Sequence, residues 1–409
     1  MGASYELLIG IDWATGRHQV CLLDGEGAML AERQVEHTAG AIHAFIAAML
    51  DRVTGCAERV AVAIEVPRGS LVETFIEHGF HVYAINPKQL DRFRDRHTVA
   101  GAKDDRRDAY VLADALRTDR QKFRRVSLDH PLVIRIRELS RADEDLREEH
   151  NRLTNRLREQ LYRCASHVLP LVPAADEPWF WDLIEQVVCT GRRPTVARIE
   201  KLLRAHRIRR INARQVLDVV RQESLWCAPG AVDAAREHIE LLLPRLRIVH
   251  GQRTGCTRRL RELLEEYAAE DEDADGPGDL AIIASVPGVG PRVSAALIAE
   301  AADLIATRDR DALRALAGLA PVTRQSGTRR VVCMRQACNE RLRTAFYHWS
   351  RVSVQHDDAA KNYYATLRAR GHSHGRALRG VADRWVRILV AMLENRTLYD
   401  PTHRHTAAA

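Results

Sequence analysis

The segment Tyr5-Glu-Leu-Leu-Ile-Gly-Ile-Asp12 decides the fold of the N-terminal part of the chain. It is an apolar run with β-branched residues that ends in a carboxylate, which is typical of a central strand. A second run of the same kind, Val60-Ala-Val-Ala-Ile-Glu65, also ends in an acidic residue. The two runs predict neighbouring strands whose ends each carry a carboxylate.

Two further carboxylates lie in Lys103-Asp-Asp-Arg-Arg-Asp-Ala109, where a helical pattern begins. Asp105 and Asp108 are three residues apart and therefore share one helix face. Two strand-end carboxylates facing two helical ones would form an oxygen-rich site, which suits Mg²⁺ or Mn²⁺. The sequence therefore predicts a metal site formed by Asp12, Glu65, Asp105 and Asp108.

The N-terminal region alternates short strands and helices. We predict strands at 5–12, 18–24, 29–35, 60–66 and 81–86, and helices near 39–53, 70–78 and 104–119. Three consecutive strands, followed by alternation with helices, resemble the order in ribonuclease H and indicate a mixed α/β sheet. Ligand sites in such sheets gather at the strand ends, in agreement with the predicted metal site.

The middle of the chain, residues 129–270, is predicted to be a coiled-coil region with a small helical insert. Leucines recur every seven residues from Leu132 to Leu153, and a second seam with 4-3 spacing runs from Ala235 to Tyr267. Both seams predict coiled-coil helices, the second bent at Pro244. These helices could pair within one chain or mediate self-association, and the sequence leaves both possibilities open.

An acidic segment with glycine and proline, residues 271–279, is predicted to be a linker. We predict that residues 1–128 form the α/β domain. We also predict that residues 280–400, which follow the linker, form a mostly α-helical C-terminal domain. We expect residues 401–409 to be a disordered tail.

The turn Pro287-Gly-Val-Gly-Pro291 joins two short apolar helices and predicts a helix-hairpin-helix. Gly288 and Gly290 would let backbone N–H groups approach a nucleic-acid phosphate without reading its sequence. A tight turn that serves only helix packing is the alternative.

A serine beside a glycine lies in a predicted loop among arginines. Ser326 is flanked by Arg324, Arg329 and Arg330. The serine could attack a phosphate while the arginines neutralise the charge of the transition state. A purely structural role, as a turn residue, is the alternative.

Composition limits the cellular setting and the kind of partner. The net charge is +7 and the isoelectric point is about 9.1, and most basic residues are arginine, which suits a polyanion. Codon bias in a GC-rich genome is the alternative explanation for the excess of arginine. The eight cysteines show no paired C-x-x-C spacing, so we expect neither zinc nor disulfides. We find no signal peptide and no long apolar run, and expect a cytoplasmic, nucleoid-associated protein without membrane contact.

Two blocks of residues together resemble the DEDD transposases of the bacterial insertion-sequence 110 family. The first block is Asp12, Glu65, Asn86-Pro87 and then Lys-x-Asp-x-x-Asp-Ala109. The second is Pro287-Gly-Val-Gly-Pro, Gly318-Leu-Ala-Pro, Gln325-Ser-Gly and Asn339-x-x-Leu-Arg343. The resemblance implies a RuvC-like N-terminal domain, a coiled-coil middle and a C-terminal domain with a catalytic serine.

The resemblance also implies a mechanism and partners. Asp12, Glu65, Asp105 and Asp108 match the metal-binding tetrad, and Ser326 matches the nucleophile. Family members cleave and exchange DNA strands through a covalent serine–DNA intermediate, with Mg²⁺ or Mn²⁺ on the tetrad. The implied partners are double-stranded DNA of the element ends and target, a bridge RNA, and further copies of the chain, as a dimer or tetramer in which one subunit's tetrad completes another's serine site.

Two departures from the family pattern leave alternatives open. Asp104 stands where the family usually has threonine, so Asp104 competes with Asp105 as a metal ligand. The run Val331–Cys338 replaces a basic, glycine-rich run. The alternatives to a transposase are a site-specific DNA invertase of the same family, a metal-only RuvC-like junction nuclease, and a copy that only binds nucleic acid.

Overall fold

The structure, a computed structural model, describes residues 5–97, 104–228, 230–270, 276–327 and 329–402. The chain divides into two units, Met1–Asp129 and His130–Ala409. Within the described ranges, no helix has an apolar stretch long enough to cross a membrane. The predicted disordered tail falls mostly outside the described residues.

A six-stranded mixed sheet forms the centre of the first unit. In sheet order β3-β2-β1-β4-β5-β6, the strands β1, β4 and β5 are parallel and the other pairs are antiparallel. The strands are β1 Leu7–Asp12, β2 Arg17–Asp24, β3 Met29–Glu36, β4 Val60–Ile64, β5 His81–Ala84 and β6 Arg124–Arg125. The prediction of a mixed α/β N-terminal sheet domain is confirmed.

Four helices cover the two faces of this sheet: α1 Ala39–Arg52, α2 Ser70–Glu77, α3 Pro87–His97 and α4 Asp105–Asp119. Helices α1 and α2 pack on one face, while α4 packs on the other. The five predicted strands and three predicted helices are present, with ends shifted by at most two residues. Helix α3 was not predicted, because its sequence is mostly charged and has little apolar periodicity.

Helix α4 lies directly against β1, and a glycine makes this possible. A Cβ atom at Gly10 would lie 1.9 Å from the carbonyl oxygen of Ala109 and 2.6 Å from the amide nitrogen of Ala113. Leu116, further along α4, lines a pocket together with Leu8 from the beginning of β1. Helix α4 therefore runs antiparallel to β1, and its N-terminus lies towards the carboxyl end of that strand.

Two long helices organise the second unit. The helices α5 Pro131–Cys164 and α9 Ala231–Glu270 pack against each other within the chain. Helix α9 continues through Pro244. This pairing accounts for both apolar seams, so supercoiling and self-association through them stay predictions. Between the two helices lie α6 Pro178–Ile184, a π-helical turn Glu185–Cys189, α7 Val196–Ala205 and α8 Ala213–Val220.

The rest of the second unit is mainly helical, as predicted, but contains an unpredicted hairpin. The helices are α10 Asp279–Ser285, α11 Pro291–Ala306, α12 Arg310–Leu316, α13 Glu340–His356, α14 Asp358–Ala369 and α15 His374–Asn395. The hairpin consists of β7 Val322–Ser326 and β8 Arg329–Cys333. Buried residues of α5, α9 and these helices share one core, including Leu132, Leu263, Trp349 and Trp385. The predicted boundary at 271–279 stays a prediction, because residues 271–275 lie outside the described residues.

Replacing Gly10 by alanine should disrupt the first unit. The added Cβ would collide with the α4 backbone, which can only move as a whole, so we expect a loss of about 3 kcal/mol or more in unfolding free energy. Gly16→Ala is the matched control, because no atom of the described residues lies within 4 Å of its added Cβ. Denaturant unfolding measures both variants, and equal stability of the two would contradict the close approach.

Candidate functional site

The two strand-end carboxylates lie side by side at one edge of the sheet. Strands β1 and β4 are parallel, and Ile11 pairs with Ile64, so Asp12 and Glu65 follow at the same level. Neighbouring strands are about 4.8 Å apart. Across β2, Asp12 pairs with Gln19, a 7% exposed residue that the sequence did not single out.

Both carboxylates belong to the sheet face that carries α4. Side chains alternate along a strand, so Asp12 shares its face with Leu8, and Glu65 shares its face with Ala61 and Ala63. These three apolar residues belong to the core beneath α4, whereas Ile11 and Ile64 belong to the core on the opposite face. The sheet therefore presents Asp12 and Glu65 towards the α4 side.

The two helical carboxylates lie in the first turns of α4, the end that lies towards Asp12. Asp105 is the first residue of the helix and is exposed, whereas Asp108 is only 1% exposed. Asp104 precedes the helix, and its side chain caps it by accepting a hydrogen bond from the amide of Arg106 at 3.2 Å. This cap engages one oxygen of Asp104 locally, and the choice between Asp104 and Asp105 as a ligand stays a prediction.

An arginine that the sequence analysis missed holds the buried carboxylate. Arg94 on α3 donates to Asp108 through two nitrogens, Nε to Oδ1 at 2.5 Å and Nη2 to Oδ2 at 2.9 Å. It also contacts the exposed Asp91. A bidentate guanidinium supplies the counter-charge that a carboxylate needs when it is removed from water.

A signal for this arginine existed in the sequence. Asn86-Pro87 is a helix-start pattern, since proline suits the first helical position and an asparagine side chain can accept the free N–H groups. The Asn86 side chain indeed accepts from the amide of Lys88 at 3.0 Å. That pattern could have predicted α3, but not its pairing with α4.

The four acidic side chains suit a divalent cation by their chemistry, but they are not gathered around one point. Hard cations such as Mg²⁺ prefer carboxylate oxygens, and all four residues lie at one end of one sheet face. Among the described residues, however, no three His, Cys, Asp or Glu side chains form a group that could hold a metal ion. The guanidinium of Arg94 occupies both oxygens of Asp108, the one buried member of the set.

The predicted nucleophile lies at the tip of a hairpin and not in an irregular loop. Ser326 is the last residue of β7 and pairs with Arg329, the first residue of β8. Gly327 follows with a φ of +54°, a left-handed conformation that suits glycine in a tight turn, and Thr328 lies outside the described residues. The β-branched residues Val322, Val331 and Val332 favour this strand pairing.

Register divides the arginines between the two faces of the hairpin. Ser326 and Arg324 are two residues apart and share a face, and Arg329, directly opposite Ser326, lies on that face too. Arg330 pairs with Gln325 and lies on the other face. All these side chains are exposed. The hairpin tip therefore presents a hydroxyl between two guanidiniums.

The predicted nucleic-acid turn packs against a neighbouring helix. Gly288 has a φ of +86°, and a Cβ there would lie 2.7 Å from the amide nitrogen of Ser353 in α13. The indole nitrogen of Trp349 donates to the carbonyl of Pro287 at 3.1 Å. Gly288 therefore serves packing, while Gly290 is exposed at the start of α11. Phosphate binding by these glycines stays a prediction.

Comparison with known proteins gives the same two-block division. A DEDD transposase model of the IS110 type, described as a transposase, matches residues 9–165. A second model, described as the transposase IS116/IS110/IS902 family, matches residues 280–365. The first match spans β1 to α5, including all four acidic residues, and the second spans the hairpin with Ser326.

Individual relatives extend the similarity to almost the whole chain. A Sinorhizobium fredii protein named as transposase y4uE is 50% identical over 208 residues, which are 50% of this chain and 58% of that relative. A Streptomyces coelicolor protein named as the mini-circle transposase for IS117 is 29% identical, over 97% of this chain and 96% of its own. The 44.8 kDa protein of insertion element IS116 of Streptomyces clavuligerus is 29% identical, over 98% of both chains. Since the two family models together match more than half of its residues, this chain belongs to the IS116/IS110/IS902 family of insertion-sequence transposases.

Proposed function

We propose that this transposase exchanges DNA strands through a covalent bond between Ser326 and a DNA phosphate. The observation that carries the proposal is the hairpin tip, where an exposed serine lies opposite Arg329 and on the same face as Arg324. An exposed hydroxyl between guanidiniums suits attack on a phosphodiester, which carries negative charge.

The first step would cleave one DNA strand. The Oγ atom of Ser326 forms a bond to phosphorus, while the bond from phosphorus to one bridging oxygen breaks. The serine loses its proton to a base, and the departing DNA oxygen gains a proton and leaves as a hydroxyl. The strand remains attached to the protein as a serine phosphodiester, so the energy of the broken bond is retained.

The second step would join the strand to a new partner. A freed DNA hydroxyl attacks the serine phosphodiester and forms a new DNA phosphodiester. The bond between phosphorus and Oγ breaks, and the serine regains its proton. Because the two steps are the reverse of each other in chemistry, the same arginines would serve both.

Arg324 and Arg329 would stabilise the charge on the phosphate oxygens in both steps. Phosphoryl transfer depends mainly on positioning and on charge neutralisation, and fixed guanidiniums provide both. Both lie on the Ser326 face of a strand pair, so the backbone register sets their position relative to the hydroxyl. Arg330 on the other face would contact DNA further from the reacting atoms.

Asp12, Glu65, Asp105 and Asp108 would hold Mg²⁺ or Mn²⁺. When bound, such an ion supplies Lewis-acid stabilisation to a phosphate oxygen. The role of the chain is to fix two of these carboxylates at strand ends and two on one helix turn. Arg94 neutralises Asp108 in the protein alone, so it would have to release that carboxylate to a cation.

Guidance by a bridge RNA and assembly into a dimer or tetramer are part of the proposal. The excess of arginine and the net charge of +7 support a nucleic-acid partner. Base pairing with the RNA would select the element ends and the target, and the protein would contact the backbones. A DNA invertase of the same family would use the same chemistry on one DNA segment.

Ser326→Ala should abolish the covalent adduct. The protein is incubated with DNA carrying the element ends and with RNA transcribed from the element's non-coding end, and denaturing gels then detect protein-linked DNA. We expect no adduct and no strand exchange, because alanine has no nucleophile. Thr323→Ala is the matched control, since it removes an exposed hydroxyl from the same strand.

An adduct that persisted in Ser326→Ala would show that another residue attacks. Metal-dependent cleavage by the wild-type protein without any adduct would instead indicate a metal-only nuclease, and Ser326 would then be a turn residue.

Arg329→Gln should slow adduct formation more than Arg330→Gln does. The two variants remove the same charge from adjacent residues, but only Arg329 shares the face of Ser326. We expect a loss of roughly a hundredfold for Arg329→Gln and less than about fivefold for Arg330→Gln, in line with the loss of one transition-state contact. Rates of adduct formation under single-turnover conditions decide the matter, and equal losses would contradict the assigned face.

Arg94→Gln should destabilise the metal-free protein and increase its response to Mn²⁺. The change leaves the buried Asp108 without its counter-charge, which costs about 3–5 kcal/mol. A cation on the carboxylates would restore the balance, so Mn²⁺ should raise the unfolding temperature more than it does in the wild type. Arg92→Gln, an exposed residue on the same helix, is the control.

Adding Asp12→Asn and Glu65→Gln to Arg94→Gln should remove the Mn²⁺ response. If the triple variant were stabilised by Mn²⁺ as strongly as Arg94→Gln, the ion would bind elsewhere and the assigned ligands would be wrong.

A further inference from the structure

A pocket of about 390 Å³ lies at the base of the hairpin that carries Ser326. The end of β8, through Val332 and Cys333, forms one wall, and the first turns of α15 form another. Tyr363 and Leu367 of α14 contribute an apolar side. The arginine, histidine and aspartate residues of the lining are Arg314, Arg335, His372, Arg376, Arg379 and Asp383.

Positive charge in this pocket is not balanced. The carboxylate of Asp383 accepts from Nε of Arg314 at 2.5 Å and is thereby neutralised. Arg376 and Arg379 form no ion pair within the part of the chain that the structure describes. Burial lowers the pKa of Arg379, and the neighbouring Arg343 and Arg376 lower it further. Guanidiniums that crowd together without carboxylates form a site for an anion.

The start of α15 adds to this preference. The helix is 22 residues long, and the side chain of Ser373, its N-cap, does not cap it. The N–H groups of a first helical turn attract negative charge. Arg376 lies in that turn and Arg379 three residues later, on the same side of the helix. Both arginines therefore line the same pocket, close in sequence to the start of α15.

The hairpin connects this site to the nucleophile. The pair Val322–Cys333 lies at the hairpin base, beside the pocket, and the pair Ser326–Arg329 lies at its tip. Four residues of strand separate them, about 14 Å. This length corresponds to a few nucleotides of one DNA strand, since the strand winds around an axis along which each base pair rises about 3.4 Å. One strand could therefore reach both positions.

The base of the hairpin is fixed to the helices beneath it. The side chain of Arg343 on α13 donates to the carbonyls of Arg335 at 3.0 Å and Gln336 at 3.2 Å, just after β8. Arg335 in turn donates to the carbonyl of Ala320 at 3.3 Å, just before β7. The pocket is thus built on anchored backbone, whereas the Ser326 end of the hairpin projects away from it.

We propose that Arg376 and Arg379 bind a backbone phosphate of the DNA strand that Ser326 attacks, a few nucleotides from the scissile phosphate. The proposal rests on the proposed function, since it takes the hairpin to act on DNA. The two guanidiniums contact the phosphate, and Tyr363 and Leu367 contact the adjoining sugar. The pocket holds the strand in register and takes no part in bond breaking.

The test measures binding of the full chain to a short fluorescent DNA duplex over a range of salt concentrations. Arg376→Gln/Arg379→Gln should bind roughly tenfold more weakly, and its salt dependence should fall by about one counterion. The control, Arg370→Gln/Arg387→Gln, removes the same charge from exposed residues outside the pocket and should lose less than about threefold. If the double variant unfolds, Arg376→Gln alone changes an exposed side chain and gives the same comparison.

Equal losses of affinity and salt dependence in the two double variants would overturn the proposal. So would a loss confined to an RNA duplex of the same length, which would assign the pocket to RNA. Ser326→Ala separates this result from the proposed function, because it should abolish the adduct and leave DNA affinity unchanged. If the pocket variant binds DNA as the wild type does and Ser326→Ala forms no adduct, only the proposed phosphate site is refuted. If Ser326→Ala still forms an adduct, only the serine mechanism is refuted.

Discussion

The close approach of α4 to β1 is the constraint on which the placement of the four acidic residues depends. Gly10 has no side chain, so the α4 backbone can lie where any Cβ would stand. This contact fixes the height of α4 over the sheet and directs its first turns towards the end of β1. Asp105 and Asp108 then lie on the same side of the sheet as Asp12 and Glu65. A larger residue at position 10 would move the helix and separate the helical pair from the strand pair.

The same contact explains why Asp108 needs an arginine beside it. An α4 that packs tightly buries Asp108, and a buried carboxylate without a partner is very costly. Arg94, on helix α3, supplies the opposite charge. The arrangement couples stability to the predicted site, since a cation and Arg94 would compete for the same two oxygens. The interaction with Arg94, which stabilises the protein without metal, would therefore oppose binding of a cation at Asp108.

The sequence predicted those features that depend on local patterns. Apolar runs specified β1 and β4, and a three-residue offset specified the shared face of Asp105 and Asp108. What it could not predict depends on pairing between distant segments. Arg94 lies 14 residues from Asp108 on a helix without apolar periodicity. The face of the hairpin on which Arg329 lies depends on the register of the two strands. That register follows from the cross-strand pairing of Ser326 with Arg329.

The fold supports the four acidic residues and Ser326 in different ways. Asp12 and Glu65 lie at strand ends of a sheet that is buried on both faces, and Asp105 and Asp108 lie on the helix that covers one of these faces. Ser326 lies at the tip of an isolated two-stranded hairpin with exposed side chains, a structure that is only marginally stable by itself. Its base is anchored by Arg335 and Arg343. A DNA strand that contacted both the arginine pocket and the tip would support the tip as well, so binding of DNA would also fix the position of the proposed nucleophile.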